Sequence, residues 1–312
     1  MFFVDGIPQC YSFRLLRRRL EYALVLLIVR VLGTLPRPLA RWIAGLVGIL
    51  FYLLAARLRR VARRNLEMAL PSLSAAERSR ITRGVFRNLS RMLAEFALFP
   101  RYTRENVSQV ITYDGFENYA AAVARGRGVL YLTGHLGAWE LGAFAQSVYG
   151  YPLNVVIRAL DNPLLNDLVN RYRALGGNRI IEKRDFLRGI LAALKNNEAV
   201  GILMDQNSSP AEGAFVDFFG LPACTSTGMA RIALRTGAAV VPAFAFWEKN
   251  KYRLRFDPAL ELVQTGDAER DVAQNTQLFT RVLEDYIRRY PEQWLWIHRR
   301  WKTRPAGERG IY

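Results

Sequence analysis

The sequence predicts an α/β fold: a mixed, mostly parallel central sheet flanked by helices, preceded by N-terminal membrane-associated helices. Three observations carry this. From Val110 onward, short β-like runs alternate with helical stretches at the spacing of strand–helix–strand units. The first sixty residues are different, with apolar runs flanked by arginines. The run Gly128 to Leu132 breaks at Thr133-Gly134 and hands over at once to a helical pattern. In open α/β sheets, ligands bind at such corners, at the carboxyl ends of strands.

Residues 1–60 are read as a membrane-associated helical region and residues 61–312 as a catalytic domain. Between Met1 and Arg64 stand twelve arginines and two acids, Asp5 and Glu21. The arginines flank the apolar runs Tyr22 to Val29 and Trp42 to Ala56. Cations at headgroup level beside leucines and aromatics mark a membrane surface rather than a nucleic-acid arm. The second run has fifteen uncharged residues between Arg41 and Arg57, short of the roughly 20 a spanning helix needs. Two helices lying on or embedded in the membrane face are the favoured reading. A single spanning anchor, or helices buried against the next domain, are the alternatives. No small-residue cleavage site follows cleanly, so the first run is not read as a removable leader.

In the second region, Ser74-Ala-Ala-Glu77 has the form of a capping box and predicts a helix from about Ala75 to Leu98. Predicted strands are Val110–Tyr113, Val129–Thr133, Asn154–Arg158, Arg179–Ile181, Val200–Met204, Ala239–Phe246 and Tyr252–Phe256. Predicted helices are Glu117–Ala124, Ala138–Val148, Pro163–Leu175, Arg184–Asn196, Thr227–Thr236 and Ala268–Arg289. The short turn at Lys249-Asn250 predicts an antiparallel pairing of the last two strands, which makes the sheet mixed. The segment Tyr290 to Lys302 gathers Trp294, Trp296 and Trp301 among cations. It reads either as a membrane belt or headgroup-phosphate site, or as a helix end with its aromatics on the sheet and its cations in water.

A formal net charge of +17 and a pI near 10.4 call for an anionic partner: lipid, nucleic acid or an acidic protein. With 51% of residues apolar the chain is no disordered basic tail. Cys10 and Cys224 have neither framework nor metal-site spacing and are expected as free thiols in a reducing compartment.

His135 stands at the strand–helix corner, and Glu140 follows five residues later. An imidazole suits proton transfer near neutral pH, and a nearby carboxylate fixes its tautomer and favours its cation. On one regular helix the two side chains would point roughly 140° apart. With His135 in the turn and Glu140 in the first helical turns they can converge as a dyad. Other chemistries lack their residues. There is no phosphate loop of the G-x-x-x-x-G-K-[ST] type and no G-x-S-x-G elbow. Two histidines about 160 residues apart and two scattered cysteines do not make a zinc site. Without a clear nucleophile, a direct transfer assisted by a general base is the more natural reaction for the His135/Glu140 pair.

The stretch Thr133-Gly-His135-Leu-Gly-Ala-Trp139-Glu140 resembles the H-x4-[DE] box of the late lauroyl/myristoyl acyltransferases of lipid A biosynthesis, a lysophospholipid-acyltransferase-like family. Arg64-Asn65-Leu66 with Pro71, Gly126-Arg-Gly128, and Arg158 with Asn162-Pro163, Arg171 and Arg173 are similar to that family's motifs. So are Asp205-Gln206, Val216-Asp-Phe-Phe-Gly220, Thr225 to Gly228, Thr236 to Pro242 and Pro291-Glu-Gln-Trp294-Leu-Trp296 with Arg299, Arg300 and Lys302. The resemblance runs from about Val61 to Arg304. Ala138 and Ala159 depart from it, where many members have Asn and Pro.

The resemblance implies a membrane-associated O-acyltransferase on the cytoplasmic face of a bacterial inner membrane, working in lipid A and so lipopolysaccharide biosynthesis. It implies transfer of a fatty acyl chain from acyl carrier protein, or from a coenzyme A thioester, to a hydroxyl of a phosphorylated glycolipid, with no bound cofactor, metal or nucleic acid. His135 would be the base and Glu140 its orienting carboxylate. Arg173, with Arg158 second, would offset the oxyanion. Arg158, Arg171 and Asp205 would support or bind substrate. Phosphatidylinositol mannoside and lysophospholipid are the alternative acceptors. A non-catalytic basic protein binding anionic lipid or nucleic acid is the rival of another class, and it has no use for a His-x4-Glu corner.

Overall fold

The computed structural model describes residues 9–182 and 186–312, without the side chains of residues 9–13, so the thiol of Cys10 and all of Arg184 lie outside the described residues. Seven strands form one sheet in the order β1 (Ile111–Asp114), β9 (Lys251–Phe256), β8 (Ala239–Glu248), β2 (Val129–Thr133), β5 (Ala199–Leu203), β3 (Leu153–Ile157), β4 (Arg179–Glu182). The pairings of β2 with β5 and β8, and of β3 with β4 and β5, are parallel. The antiparallel β8–β9 hairpin turns at Lys249 and Asn250, both at positive φ, and β1 follows β9 in parallel. The sheet is mixed and mostly parallel, as predicted, with strand ends within two residues of those expected.

β2 lies at the centre of the sheet and is buried on both faces, the environment that near-continuous apolar strands require. Because side chains alternate, Leu130 and Leu132 enter one core and Val129 and Tyr131 the other. The first core packs under α3 (Ala56–Ala69), α4 (Ala75–Leu98), α8 (Phe186–Lys195), α9 (Gly228–Thr236) and α10 (Ala268–Arg289). The second packs under α5 (Phe116–Ala124) and α6 (Trp139–Val148). The capping box forms: Glu77 N–H donates to Ser74 Oγ at 3.2 Å, and Ser74 N–H to Glu77 Oε2 at 2.7 Å. Such a cap stabilises a helix by about 1 kcal/mol.

The N-terminal region folds as α1 (Gln9–Thr34), α2 (Arg37–Leu54) and the start of α3, so residue 60 falls inside α3. Ala40, Ala44 and Gly48 line the face of α2 that meets α4. The approach is close, since a Cβ on Gly48 would lie 1.7 Å from Ser90 Oγ. The opposite face leaves Trp42, Leu46, Ile49, Leu50 and Leu53 exposed. α2 is long and apolar enough to cross a membrane by length and composition.

Two features differ from expectation. Residues 213–226, not predicted as strands, form a separate hairpin of β6 (Gly213–Phe218) and β7 (Leu221–Ser226). The tryptophan segment is not a membrane belt. Trp294, Trp296 and Trp301 are fully buried against Phe218 and Phe219 in the core that packs on the sheet, so its aromatics turn inward as the second reading has them, and the difference lies in a cation that was expected in water. Arg300 is buried with them, donating to Cys224 O at 2.8 Å and to Thr225 Oγ1. The Cys224 thiol is buried and free.

Candidate active site

The corner after β2 is set by sheet register. Thr133 pairs with Leu203 of β5, and Met204 N–H donates to Thr133 O at 3.0 Å. Two residues beyond each paired position stand His135 and Asp205, so parallel pairing delivers an imidazole and a carboxylate to one place. His135 Nδ1 lies 2.8 Å from Asp205 Oδ1, and His135 N–H donates to Asp205 Oδ2 at 2.8 Å. Trp294 Nε1–H donates to the same Oδ2 at 2.7 Å. Gly134 leaves room for this, since a Cβ there would lie 3.0 Å from Asp205 Cγ.

The backbone of the corner is pinned on three sides. Gly137 has φ +66, and a Cβ there would fall 2.0 Å from Ala245 O; only glycine fits. Ala138 N–H donates to that same carbonyl at 2.6 Å. Gly137 O accepts from Asn88 Nδ2 of α4 at 2.8 Å, and His135 O accepts from Leu295 N–H at 3.1 Å. The His135 ring is thus held where its Nε2 edge remains accessible, with the side chain 18% exposed and Trp139 edge-on at 5.1 Å. Gln206 Nε2 lies 3.3 Å from His135 Nε2.

The electrostatics follow from this geometry. Burial would raise Asp205, but the imidazole and the hydrogen bonds from His135 and Trp294 outweigh it and lower the carboxyl to about 2. Burial likewise would lower His135, yet Asp205, with Glu140 contributing, raises its pKa above the ordinary value. With Nδ1 on the carboxylate, neutral His135 leaves Nε2 as the unprotonated, basic nitrogen, 3.3 Å from the Gln206 amide.

The carboxylate expected on the imidazole is Glu140; the one found there is Asp205. Glu140, in the first turn of α6, is taken by Arg173 of α7 (Pro163–Ala174), with Nε–H donating to Oε2 at 2.9 Å and NH2 to Oε1 at 2.5 Å. Glu140 does not hydrogen-bond His135 because a guanidinium fork satisfies both its oxygens. Burial would lower Arg173, but the Glu140 bond raises it. Among the described residues, the one hydrogen bond of Arg173 NH1 is a 3.4 Å contact with Asn170.

The structure brings His135, Asp205, Glu140 and Arg173 together. It does not bring Arg171, exposed on α7; two residues from Arg173 is about 200° around a helix. Arg158 follows β3 on the same rim of the sheet, 83% exposed, 3.7 Å from Asp161. A narrow apolar cleft of about 70 Å³ runs from Glu140 and Arg173 between α6 and the sheet, past Thr133, Val155, Gly201 and Leu203. The sequence reading missed Trp294 as a donor to Asp205, and it missed His298, whose Nε2 accepts from Asn207 N–H at 3.1 Å. Asn207 lies two residues after Asp205, which is the signal that links His298 to the corner.

The family model of bacterial lipid A biosynthesis acyltransferases matches residues 10–303. The chain is 30% identical over 281 residues to the lipid A biosynthesis palmitoleoyltransferase of Escherichia coli, covering 89% of this chain and 90% of that one. It is 30% identical over 279 residues to the lauroyltransferase of the same organism, 88% of each chain, and 25% identical over 261 residues to its myristoyltransferase, 81% and 79%. The chain therefore belongs to the bacterial lipid A biosynthesis acyltransferase family, as an acyltransferase.

Proposed function

We propose that this acyltransferase moves a fatty acyl chain from an acyl thioester, on acyl carrier protein or coenzyme A, to a hydroxyl of a phosphorylated glycolipid of the lipid A precursor class. The observation that carries the reading is the Asp205-bound imidazole of His135 beside an apolar cleft. His135 Nε2 takes the proton of the acceptor hydroxyl as that oxygen attacks the thioester carbonyl. The tetrahedral oxyanion is offset by Arg173. On collapse the C–S bond breaks, and the thiolate recovers the proton from His135. Asp205 keeps the ring in the useful tautomer and stabilises the transient imidazolium. Glu140 acts by fixing the Arg173 fork and adding negative charge near the ring. Thr133, Val155 and Leu203 offer the first methylenes of the acyl chain an apolar path, which opens further as the chain enters.

Membrane association on the cytoplasmic face of the inner membrane is part of the same proposal. It is supported by the exposed apolar face of α2 and by the exposed Leu20, Leu24 and Leu27 of α1. α2 lies lengthwise on α4, and α4 also carries Asn88 at the corner. This favours a helix lying in the interface over one crossing the bilayer.

The test is purified protein in detergent with acyl carrier protein and coenzyme A donors against a panel of lipid acceptors. Transfer to a phosphorylated glycolipid is expected; transfer to no lipid would remove the reading. For the membrane part, Leu46→Gln with Ile49→Gln and Leu53→Gln is expected to cut co-sedimentation with anionic vesicles several-fold. Unchanged sedimentation would move the contact elsewhere.

A further inference from the structure

Beside the corner, α3, the loops after β3 and β5, and the C-terminal segment enclose a second cleft of about 470 Å³. Arg57, Arg158, Arg299 and Lys302 line it together with His298 and Asn207, and none of its lining residues is acidic. Among the described residues Arg57, Arg299 and Lys302 form no ion pair, and Arg158 has only the exposed 3.7 Å contact with Asp161, a geometry that contributes little. Four cations converging on one hollow repel one another until an anion joins them.

The hollow is built, because its walls are tied together from within. Asn65, fully buried eight residues after Arg57 on α3, donates to Trp296 O at 2.6 Å and to His298 O at 2.7 Å. Asn207 exchanges hydrogen bonds with Thr303, through Nδ2 to Oγ1 at 2.9 Å and from Thr303 N–H to Oδ1 at 2.9 Å. These bonds fix the segments that carry Arg57, Arg299 and Lys302. Since His298 Nε2 accepts an N–H, the neutral ring carries its proton on Nδ1 and adds a donor to the set.

We propose that this cleft is a phosphate subsite of the acyl-transfer site, holding a phosphate carried by one of the two substrates while the reacting group reaches His135. Guanidinium forks and an ammonium in a cleft with no acidic lining residue match phosphate oxygens in charge and donor number. The cleft opens on the strand-end rim that carries the corner, with Asn207 two residues from Asp205. The inference rests on the acyl-transfer reading; the phosphate comes from the glycolipid acceptor or from the carrier or nucleotide of the donor, and the transfer assays separate the two.

Two measurements decide it. In calorimetric titration, wild-type protein is expected to bind inorganic pyrophosphate, and Arg57→Gln/Lys302→Gln, with an unchanged melting temperature, to bind it at least tenfold more weakly. In transfer assays, KM is measured for acceptors with and without their phosphate, and for carrier-linked donors against a simple phosphate-free thioester. The double variant is expected to lose roughly tenfold of the wild type's preference for the phosphorylated partner, and Lys302→Arg to restore most of the Lys302 share. Loss confined to the acceptor pair assigns the phosphate to the glycolipid; loss confined to the donor pair assigns it to the carrier or nucleotide. Wild type that transfers acyl chains yet binds no pyrophosphate, or a folded double variant with both preferences intact, would overturn the subsite and leave the acyl-transfer reading standing.

Discussion

The corner after β2 and the C-terminal segment each hold one of the chain's two histidines, and they hold them in opposite states. Both rings are largely removed from water, which disfavours the imidazolium. At His135, a carboxylate 2.8 Å away overrides burial and the pKa rises. At His298, burial dominates and the value falls to about 4: Asp205 is felt more weakly, and Arg300, His135 and Lys302 push the same way as burial. The backbone N–H of Asn207 seals the difference, because Nε2 can accept it only when deprotonated. Burial alone predicts His298 but not His135. What separates them is how closely Asp205 engages each ring, hydrogen-bonded to His135 and only felt at a distance by His298.

The largest test of this contrast is His135→Ala, expected to lower acyl transfer by up to about 10⁴-fold with lipid binding retained. Asp205→Asn is expected to cost about 10³-fold, and to do something His135→Ala cannot. With neutral His135 as the proposed base, kcat/KM is expected to rise with pH through its raised value, above the ordinary 6.5. Without the Asp205 charge, the acid limb of the pH–rate profile moves to lower pH. A limb that stays in place would mean that Asp205 is not what raises the ring. Arg173→Gln is expected to lower kcat by about 10²-fold with less effect on KM, and a loss confined to KM would assign it to binding instead. The smallest effect belongs to His298→Gln: less than tenfold, read in KM, with the acid limb unmoved because a ring at about 4 is already neutral where the enzyme works.

Where the sequence was legible, the signal was local. Alternation and turn residues placed β2 and α6, and Ser74 with Glu77 marked the start of α4. The partner of His135 was not legible in this way. Glu140 is five residues off and looked like the orienting carboxylate, whereas Asp205 is seventy residues off and reaches the ring through the β2–β5 register. The β6–β7 hairpin escaped because its turn places Phe219 at φ 59 before Gly220, and a phenylalanine there does not advertise a hairpin turn. The tryptophan segment was ambiguous because composition records what an aromatic can do, not which cavity receives it.

The bond from Asn65 to the carbonyls of Trp296 and His298 spans 231 and 233 residues of chain. His135 O is held by Leu295, and Trp294 holds Asp205. Contacts of such sequence separation form late, after loop-closure entropy has been overcome. During synthesis the chain can lay down α3, α4 and the parallel strands while the catalytic corner still lacks its far wall. The proposed site is complete only once residues 291–303 have docked. A nascent or C-terminally shortened chain would carry its exposed α2 face well before it had any catalytic power.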